Sequence, residues 1–247
     1  MQYKRAITLF LVLYCIGYAG WAAEASSEPT EIDREYQLVV NFAVFDYPPL
    51  YHATENGGFS GILGETFKAL CNRANLDCHF HMLPVSRAYK SLLVGHNQVL
   101  ISGKHPKFEK CCTATQWSYP WTSGIFSKRP LAEIPTHREE LIGKSLIVLR
   151  GWIAPYVFEP SLDAMASGKQ VTLYKAASNY SAIRMLQSDR AQFLYGATEF
   201  GWYFDKMGLN EVINFQQIRT MPLVLWVSTE RVDILRRLDY AFRALKE

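Results

Sequence analysis

From residue 38 onward, hydrophobic positions follow strand-like and helix-like periods in turn. Residues 38–45 alternate in hydrophobicity, which predicts a strand that ends at the Pro48-Pro49 break. Apolar residues then recur at helical spacing over 62–74. The other elements predicted for this half are a strand over 78–82, a helix over 86–94 and a strand over 98–102. This strand, helix, strand order predicts a parallel sheet with helices on both faces.

The same order of elements restarts in the second half of the chain. The pattern predicts strands over 145–149, 171–174 and 192–195 and a helix over 182–187. Between the two units, residues 123–130 are predicted to be extended and to cross from one to the other. A strand over 223–228 and a helix over 233–246 would return to the first unit. We therefore expect an α/β fold with lobe 1 at 36–122, lobe 2 at 123–218 and a return to lobe 1 at 219–247.

The N-terminal segment has the three-part pattern of an export signal. Lys4 and Arg5 precede an apolar run over 6–18, and small residues follow up to Ala23. A membrane anchor is the alternative, but the apolar run is shorter than the roughly 20 residues that span a bilayer. We expect residues 1–23 to be a cleaved signal peptide. The polar residues 24–35 contain too few apolar groups to fold and are expected to form a flexible leader.

Charge and cysteine content narrow the function classes further. Removing residues 1–23 takes away two of the 26 basic residues and none of the 23 acidic ones, which leaves a formal charge of +1. This balance gives no indication of a nucleic-acid partner. Four cysteines remain, Cys71, Cys78, Cys111 and Cys112. Their spacing is poor for a tetrahedral zinc site, so a structural disulfide in an oxidising compartment is favoured over a metal.

Several segments, in their order and spacing, carry a family resemblance over nearly all of the mature chain. They are Tyr47-Pro48-Pro49-Leu50, Gly57-Gly58-Phe59-Ser60-Gly61-Ile62, the Leu-Cys-x6-Cys-x-Phe segment from Leu70 to Phe80, Pro84, Leu93-Val94-Gly95, Trp117-Ser118-Tyr119-Pro120-Trp121, Leu141-Ile142-Gly143-Lys144 and Leu149-Arg150-Gly151. With these segments the chain resembles the extracellular solute-binding proteins of family 3, the periplasmic amino-acid receptors of ABC importers, and among them the histidine- and lysine/arginine/ornithine-binding members.

The resemblance implies a periplasmic protein with the type II periplasmic binding fold. In this fold two α/β lobes are joined by two crossing strands, and a hinge closes the cleft between them on a ligand. It implies a small-molecule solute, an inner-membrane ABC permease or sensor as partner, and no cofactor. We expect a monomer. The resemblance also implies a Cys71–Cys78 disulfide, whereas Cys111 and Cys112 form either a bridge between neighbours or two free buried thiols.

Within this family an aromatic ring just after the first strand is a platform for the ligand, and here that place is taken by Tyr47. The alternative is a turn tyrosine that packs on its own lobe. The family's carboxylate-binding arginine falls on Lys110, which offers a point charge instead of a planar fork. The family's ammonium-binding acid falls near Gly196 or Ala197, so either Glu199 replaces it or the ligand is not a standard α-amino acid.

Other residues are candidates for binding an anionic ligand group. Arg87 begins the helix after Pro84, and Arg150 follows the first strand of lobe 2; each could instead be a solvated surface arginine. Ser102 and Gly103 follow the third strand, where backbone amides and a hydroxyl can meet a carboxylate. Trp152 is the tryptophan most expected to touch a ligand, because it follows Arg150-Gly151 at a predicted helix start.

Three functions remain open from the sequence. The leading hypothesis is a periplasmic receptor that captures a small polar or amino-acid-like solute for ABC-type import or for sensing, and not an enzyme. The second is a periplasmic enzyme similar to the cyclohexadienyl dehydratases of the same fold, in which a cleft acid protonates a leaving hydroxyl group. The third is a binding or interaction protein that does not transport and has lost the amino-acid anchors.

Overall fold

The computed structural model describes residues 37–152, 162–209 and 213–245. The predicted signal peptide 1–23 and the predicted leader 24–35 lie outside these described residues. Among the helices that the structure does describe, none is both long and apolar enough to cross a membrane.

Strands and helices alternate along the described chain. The strands are β1 (Leu38–Val44), β2 (His52–Ala53), β3 (Phe59–Ser60), β4 (Leu76–Met82), β5 (Val99–Gly103), β6 (Cys112–Ser127), β7 (Ser145–Leu149), β8 (Thr172–Ala176), β9 (Phe193–Ala197) and β10 (Asn214–Ser228). The α-helices are α1 (Ile62–Arg73), α2 (Val85–Leu93), α3 (Pro106–Glu109), α4 (Leu162–Ser167), α5 (Asn179–Gln187), α6 (Phe200–Met207) and α7 (Val232–Ala244), and two 3-10 turns span Leu131–Glu133 and Arg138–Leu141.

Eight strands form one sheet in the order β4-β1-β5-β10-β6-β9-β7-β8. At one end β1 pairs in parallel with β4 and β5, and at the other end β7 pairs in parallel with β8 and β9. The two long strands β6 and β10 run antiparallel through the middle. One part of β10 pairs with β5, whereas one part of β6 pairs with β9. The predicted α/β fold of two parallel units joined by two crossing strands is therefore confirmed, while the exact lobe boundaries stay a prediction.

Burial explains the hydrophobic runs in the inner strands. Parallel strands that are covered on both faces have no polar side, and residues 99–101 of β5 are each fully buried. All five residues of β9 are buried as well. Helix α1 covers one face with Leu63, Phe67 and Leu70, which recur at the i, i+4, i+7 spacing of a helix face. The periodic signals in the sequence are thus direct consequences of this layering.

The crossing strands are longer than the sequence predicted. The expected crossing at 123–130 is the second part of β6, which already begins at Cys112, and the expected strand at 223–228 is the end of β10, which begins at Asn214. Each strand contains a proline, which is a signal against a strand interior. Pro120 and Pro222 lie opposite each other in the β6–β10 register. The predicted lengths of these two strands were wrong, because a proline argues against a strand interior and the pairing that stabilises the strands is long-range.

Both cysteine pairs are bridged. Cys71 near the end of α1 is bonded to Cys78 in β4, with 6.1 Å between their Cα atoms, so the predicted pairing is confirmed. Cys111 is bonded to its neighbour Cys112, which selects the bridged state from the two that the sequence left open. The carbonyl oxygen of Cys111 accepts hydrogen bonds from the amide and the hydroxyl of Thr229, at 2.9 and 3.0 Å. These bonds connect the start of β6 with the turn after β10.

We predict that the Cys71→Ser/Cys78→Ser double variant remains folded but loses about 2–3 kcal/mol of unfolding free energy. The two cysteines are seven positions apart in sequence, and the loop-closure entropy of a loop of that length corresponds to a loss of this size. Denaturant unfolding of both proteins measures the difference. Mass spectrometry of a non-reduced digest of the parent protein should find the two peptides linked, and free thiols at both positions would contradict the prediction.

Candidate functional site

A cavity of about 60 Å³, here called the inner cavity, lies where the ends of β1 and β5 meet the crossing strands. Its walls are mostly aromatic, and residues from both halves of the sheet contribute to them. The lining residues are Phe45, Tyr47, Tyr51, Tyr89, Ser102, Gly103, Lys104, His105, Trp121, Trp152, Tyr195, Met221 and Leu223. Such a concave, apolar pocket with a few polar groups is typical of a small-molecule site.

Tyr47 is held by hydrogen bonds at both its backbone and its hydroxyl group. Its amide donates to the carbonyl of Tyr51 and its carbonyl accepts from the amide of Tyr51, at 2.8 and 3.1 Å, which closes a tight loop after β1. Its hydroxyl donates to a carboxylate oxygen of Glu199 at 3.2 Å and accepts from the indole nitrogen of Trp121 at 3.0 Å. The ring is only 3% exposed. The orientation of the ring is therefore determined by contacts on three sides.

Glu199 is a buried acid next to this hydroxyl. It follows β9 at the start of α6 and is 9% exposed. Its carboxylate accepts hydrogen bonds from two neutral donors, the hydroxyls of Tyr47 and Thr198. Burial raises the pKa of Glu199, and the hydrogen bonds from its own backbone amide, Tyr47 and Thr198 only partly oppose this shift. Within the described part of the chain, no lysine, arginine or histidine forms an ion pair with Glu199.

Two tryptophans complete the wall around Tyr47. The ring of Trp152 lies 5.6 Å from that of Tyr47 in an edge-on arrangement, and the ring of Trp121 lies 6.0 Å from that of Trp152. Phe200, the first residue of α6, packs edge-on against Trp152 at 5.9 Å. These offset geometries are the ones that aromatic quadrupoles favour. The aromatic side of the cavity is therefore a closely packed cluster of rings.

The hydroxyls of two other tyrosines of the inner cavity, Tyr89 and Tyr195, have polar partners in the protein. Burial raises the pKa of Tyr89 to about 12, although a hydrogen bond with Ser102 opposes the shift. Burial also raises the pKa of Tyr195, with Ser123 as its hydrogen-bond partner. For Tyr51 burial again raises the pKa, and the nearby Tyr89 and Glu199 add to the effect. The cavity thus presents mainly ring surface.

A second and more polar pocket, here called the outer cleft, shares Phe45 and Trp152 with the inner cavity and measures about 510 Å³. Asp46, Ser86, Arg150, Ser178, Asn179 and Tyr203 are among its polar lining residues. Across it, Gly151 approaches the first turn of α2: a Cβ atom at Gly151, whose φ is +84°, would lie 3.2 Å from the Cβ of Ser86. The absence of a side chain at Gly151 therefore permits this close approach of the two halves.

The residues that the sequence predicted for the site fall into three groups. Tyr47, Ser102, Gly103 and Trp152 line the inner cavity, and Glu199 lies directly behind Tyr47. Arg150 lines the outer cleft. Arg87 and Lys110 are exposed, and neither is among the lining residues of these two pockets. The structure thus brings together the aromatic and hydroxyl candidates but not the basic ones.

Sequence reasoning missed several residues that line the inner cavity. They are Tyr51, Tyr89, Lys104, His105, Tyr195 and Met221. Trp121 was not among the predicted site residues, but its indole N–H donates a hydrogen bond to the Tyr47 hydroxyl. Tyr51 could have been found from its position in the same Pro-Pro loop as Tyr47. No local pattern distinguishes Tyr195, because it lies in a strand whose residues are all buried.

Comparison with known proteins supports the fold. Neither a protein-family model nor a curated protein sequence matches this chain. Among solved structures, the arginine-bound, truncated arginine-binding protein ArgBP of T. maritima is 18% identical with a TM-score of 0.68, over 87% of this chain and 99% of that protein. A substrate-binding protein of an ABC uptake transporter from Streptococcus pneumoniae, with bound histidine, is 13% identical with a TM-score of 0.67, over 85% and 87% of the two chains.

A third similar structure has a different biological context. It is a histidine kinase sensor domain with similarity to periplasmic binding proteins, 20% identical with a TM-score of 0.69, over 87% of this chain and 92% of that domain. At these levels of identity the similarities establish a shared fold. The chain therefore has the two-lobe α/β architecture of periplasmic binding proteins.

We predict that Tyr47→Phe destabilises the protein by about 1–3 kcal/mol. The change leaves the indole N–H of Trp121 without its acceptor and removes one of the donors of Glu199, and both groups are buried. Tyr51→Phe is the matched control, because the Tyr51 hydroxyl makes no hydrogen bond to any described residue. Equal unfolding free energies for the two variants would mean that the Tyr47 hydroxyl contributes no net stability.

We predict a loss of stability between pH 10 and pH 12. In the unfolded chain a tyrosine ionises near pH 10, whereas burial raises the pKa of folded Tyr89 to about 12. The folded state therefore binds more protons in this window, and its stability falls as the pH rises, by about 2–3 kcal/mol for Tyr89 alone. Urea unfolding across the range measures this. Tyr89→Phe should reduce the pH dependence by this amount, because the other buried tyrosines keep their contributions, whereas Tyr240→Phe, at an exposed site, should not reduce it.

Proposed function

We propose that this protein is an exported solute receptor, which captures a small polar or amino-acid-like solute between its two lobes. The observation that carries the proposal is the composition of the inner cavity. Tyr47 and Ser102 come from the first half of the sheet, and Trp152 and Tyr195 come from the second half. A ligand that contacts both halves at once would favour their closure, because closure requires a ligand that binds the closed state more tightly.

The proposal places the protein in the periplasm, where a cleaved signal peptide would deliver it. The two bridged cysteine pairs are consistent with an oxidising compartment. Similar folds occur both in ABC uptake systems and in a kinase sensor domain. The receptor would accordingly deliver its solute to a membrane permease or present it to a sensor, and it would function as a monomer without a cofactor.

We expect at least one solute class to raise the melting temperature of the chain from residue 24 onward. The panel contains amino acids, amines, organic acids and small peptides. A solute at 100 times its dissociation constant stabilises the folded state by about 2.7 kcal/mol. Isothermal calorimetry with the best compound then gives the stoichiometry, which should be one per chain. If no compound of any class shifts the transition, the receptor proposal is wrong and the interaction-protein alternative is favoured.

If the bound solute carries a carboxylate, we expect Arg150→Met to weaken its binding by about 2–5 kcal/mol, because the removed cation leaves a desolvated anion without its partner. Arg150 lines the outer cleft, whereas Arg87 and Lys110 do not. Arg87→Met and Lys110→Met should therefore cost less, and Lys90→Met, on an exposed part of α2, is the control. A larger loss of binding free energy for Lys110→Met would instead favour Lys110 as the carboxylate-binding residue, as the family resemblance implies.

One observation keeps the enzymatic alternative testable. Burial raises the pKa of Glu199, which is a property of a general acid. However, both of its side-chain hydrogen-bond partners are hydroxyls of the protein, and no carboxyl group is among the described residues that line the inner cavity. We expect no loss of prephenate or arogenate in an absorbance assay. Turnover that disappears in Glu199→Gln would establish the enzymatic function instead.

A further inference from the structure

Glu199 is a buried carboxylate that has no counter-charge in the described structure. It is 9% exposed, and its side-chain oxygens accept only from neutral hydroxyl groups. Buried charges in proteins are normally paired with an opposite charge or a metal. An acid that lacks such a partner inside a ligand-binding fold indicates that the partner arrives with the ligand.

The rings in front of Glu199 are suited to a cation. Tyr47, Trp121 and Trp152 line the inner cavity together, with ring centroids 5.6 and 6.0 Å apart along the series Tyr47, Trp152, Trp121. The faces of such rings attract ammonium and guanidinium groups, most strongly when the site is desolvated. The Tyr47 hydroxyl donates to the Glu199 carboxylate, which increases the electron density of that ring. The negative charge thus acts on the cavity through Tyr47.

The size of the inner cavity and the positions of the basic residues limit what can enter. A volume of about 60 Å³ holds a few water molecules, which corresponds to a compact head group and not to a whole amino acid. Lys110, at the family's carboxylate-binding position, is exposed and does not line the cavity. Lys104 and His105 line the wall that follows β5; Lys104 is largely exposed, and the Nδ1 atom of His105 accepts the amide of Lys107.

We propose that the inner cavity binds the cationic head group of the solute, a methylated ammonium or a guanidinium group, among the rings of Tyr47, Trp121 and Trp152. Glu199 supplies the counter-charge from behind Tyr47 and is a positioning residue, since it acts on the cation through the phenol. The remainder of the solute extends past Trp152 into the outer cleft. This inference rests on the proposed receptor function and specifies the class of its ligand.

Calorimetric titrations of the chain from residue 24 onward with three probes test the charge requirement. Choline carries a quaternary ammonium group, 3,3-dimethyl-1-butanol is its uncharged carbon isostere, and methylguanidine carries the planar cation. We expect one of the two cations to bind at least tenfold more tightly than the isostere. Which cation binds distinguishes the two head groups. If neither cation binds more tightly than the isostere, the inference is overturned, because the cavity would then recognise shape alone.

Two variants test the role of Glu199. Glu199→Gln keeps the size of the side chain and removes its charge, so the preferred cation should bind at least tenfold more weakly. The same variant should melt at an equal or higher temperature at pH 7, because the unpaired buried charge is gone. Glu230→Gln, at an exposed turn position, is the matched control and should change neither quantity. Unchanged cation binding by Glu199→Gln would contradict the proposal.

The pH dependence of binding gives a test in the unmodified protein. Choline stays charged at every pH, and Tyr47, Tyr51 and Tyr119, the tyrosines near Glu199, stay neutral below pH 9. Because burial raises the pKa of Glu199, choline affinity should fall as the pH decreases through that raised value. Other titratable side chains also line the two pockets, namely His105 and Lys104 in the inner cavity and Asp46 in the outer cleft. The part of the pH dependence that disappears in Glu199→Gln belongs to Glu199.

The proposed function and this inference can fail separately. If amino acids, organic acids or peptides bind with one-to-one stoichiometry while neither cation binds, the ligand class is wrong and the receptor function stands. If no compound of any class binds, both fail. If a cation binds and Glu199→Gln releases it, both are supported.

Discussion

The phenol oxygen of Tyr47 joins three segments that are distant in sequence. Trp121, 74 residues away, donates to it, and it donates to Glu199, 152 residues away. One of these partners lies on a crossing strand and the other lies after β9, in the second half of the sheet. All three side chains are buried, so neither bond is exchanged freely with water. These two bonds, together with the ring contacts of Trp152, hold the aromatic wall of the inner cavity in its observed arrangement.

The crossing strands β6 and β10 create the place where this network forms. Their long antiparallel pairing runs through the middle of the sheet and connects two units that are otherwise parallel. Loops after the strands of both units line the same gap. Ligands in open parallel sheets bind beyond the carboxyl ends of the strands, which is where these loops lie. Tyr47 follows β1 and Ser102 lies near the end of β5, whereas Trp152 and Glu199 follow β7 and β9. Aromatic rings, Lys104 and His105 line the inner cavity, Glu199 lies behind Tyr47, and Arg150 lines the outer cleft.

Much of the fold could be predicted from local patterns, and less of the site. Helix α1, strand β1 and strand β9 were found because a buried face leaves a clear period in the sequence. Strands β6 and β10 were underestimated because their stability comes from pairing with each other over a long sequence separation. Tyr47 was predicted just after the first strand, and it follows β1 in the structure. The helix predicted to start at Trp152 would lie outside the described residues. Lys110 was aligned with a binding arginine, but in this chain it lies exposed at the end of the short helix α3.

The sequence by itself determined the order of strands and helices, the two-unit architecture and the Cys71–Cys78 pairing, because each of these depends on spacing along the chain or on a resemblance in spacing. The tertiary structure decided which side chains share a cavity. A carboxylate such as Glu199 has the same appearance in sequence whether it is solvated or buried. Its chemistry depends on desolvation and on the hydroxyl that reaches it from Tyr47, and both are properties of packing between distant segments.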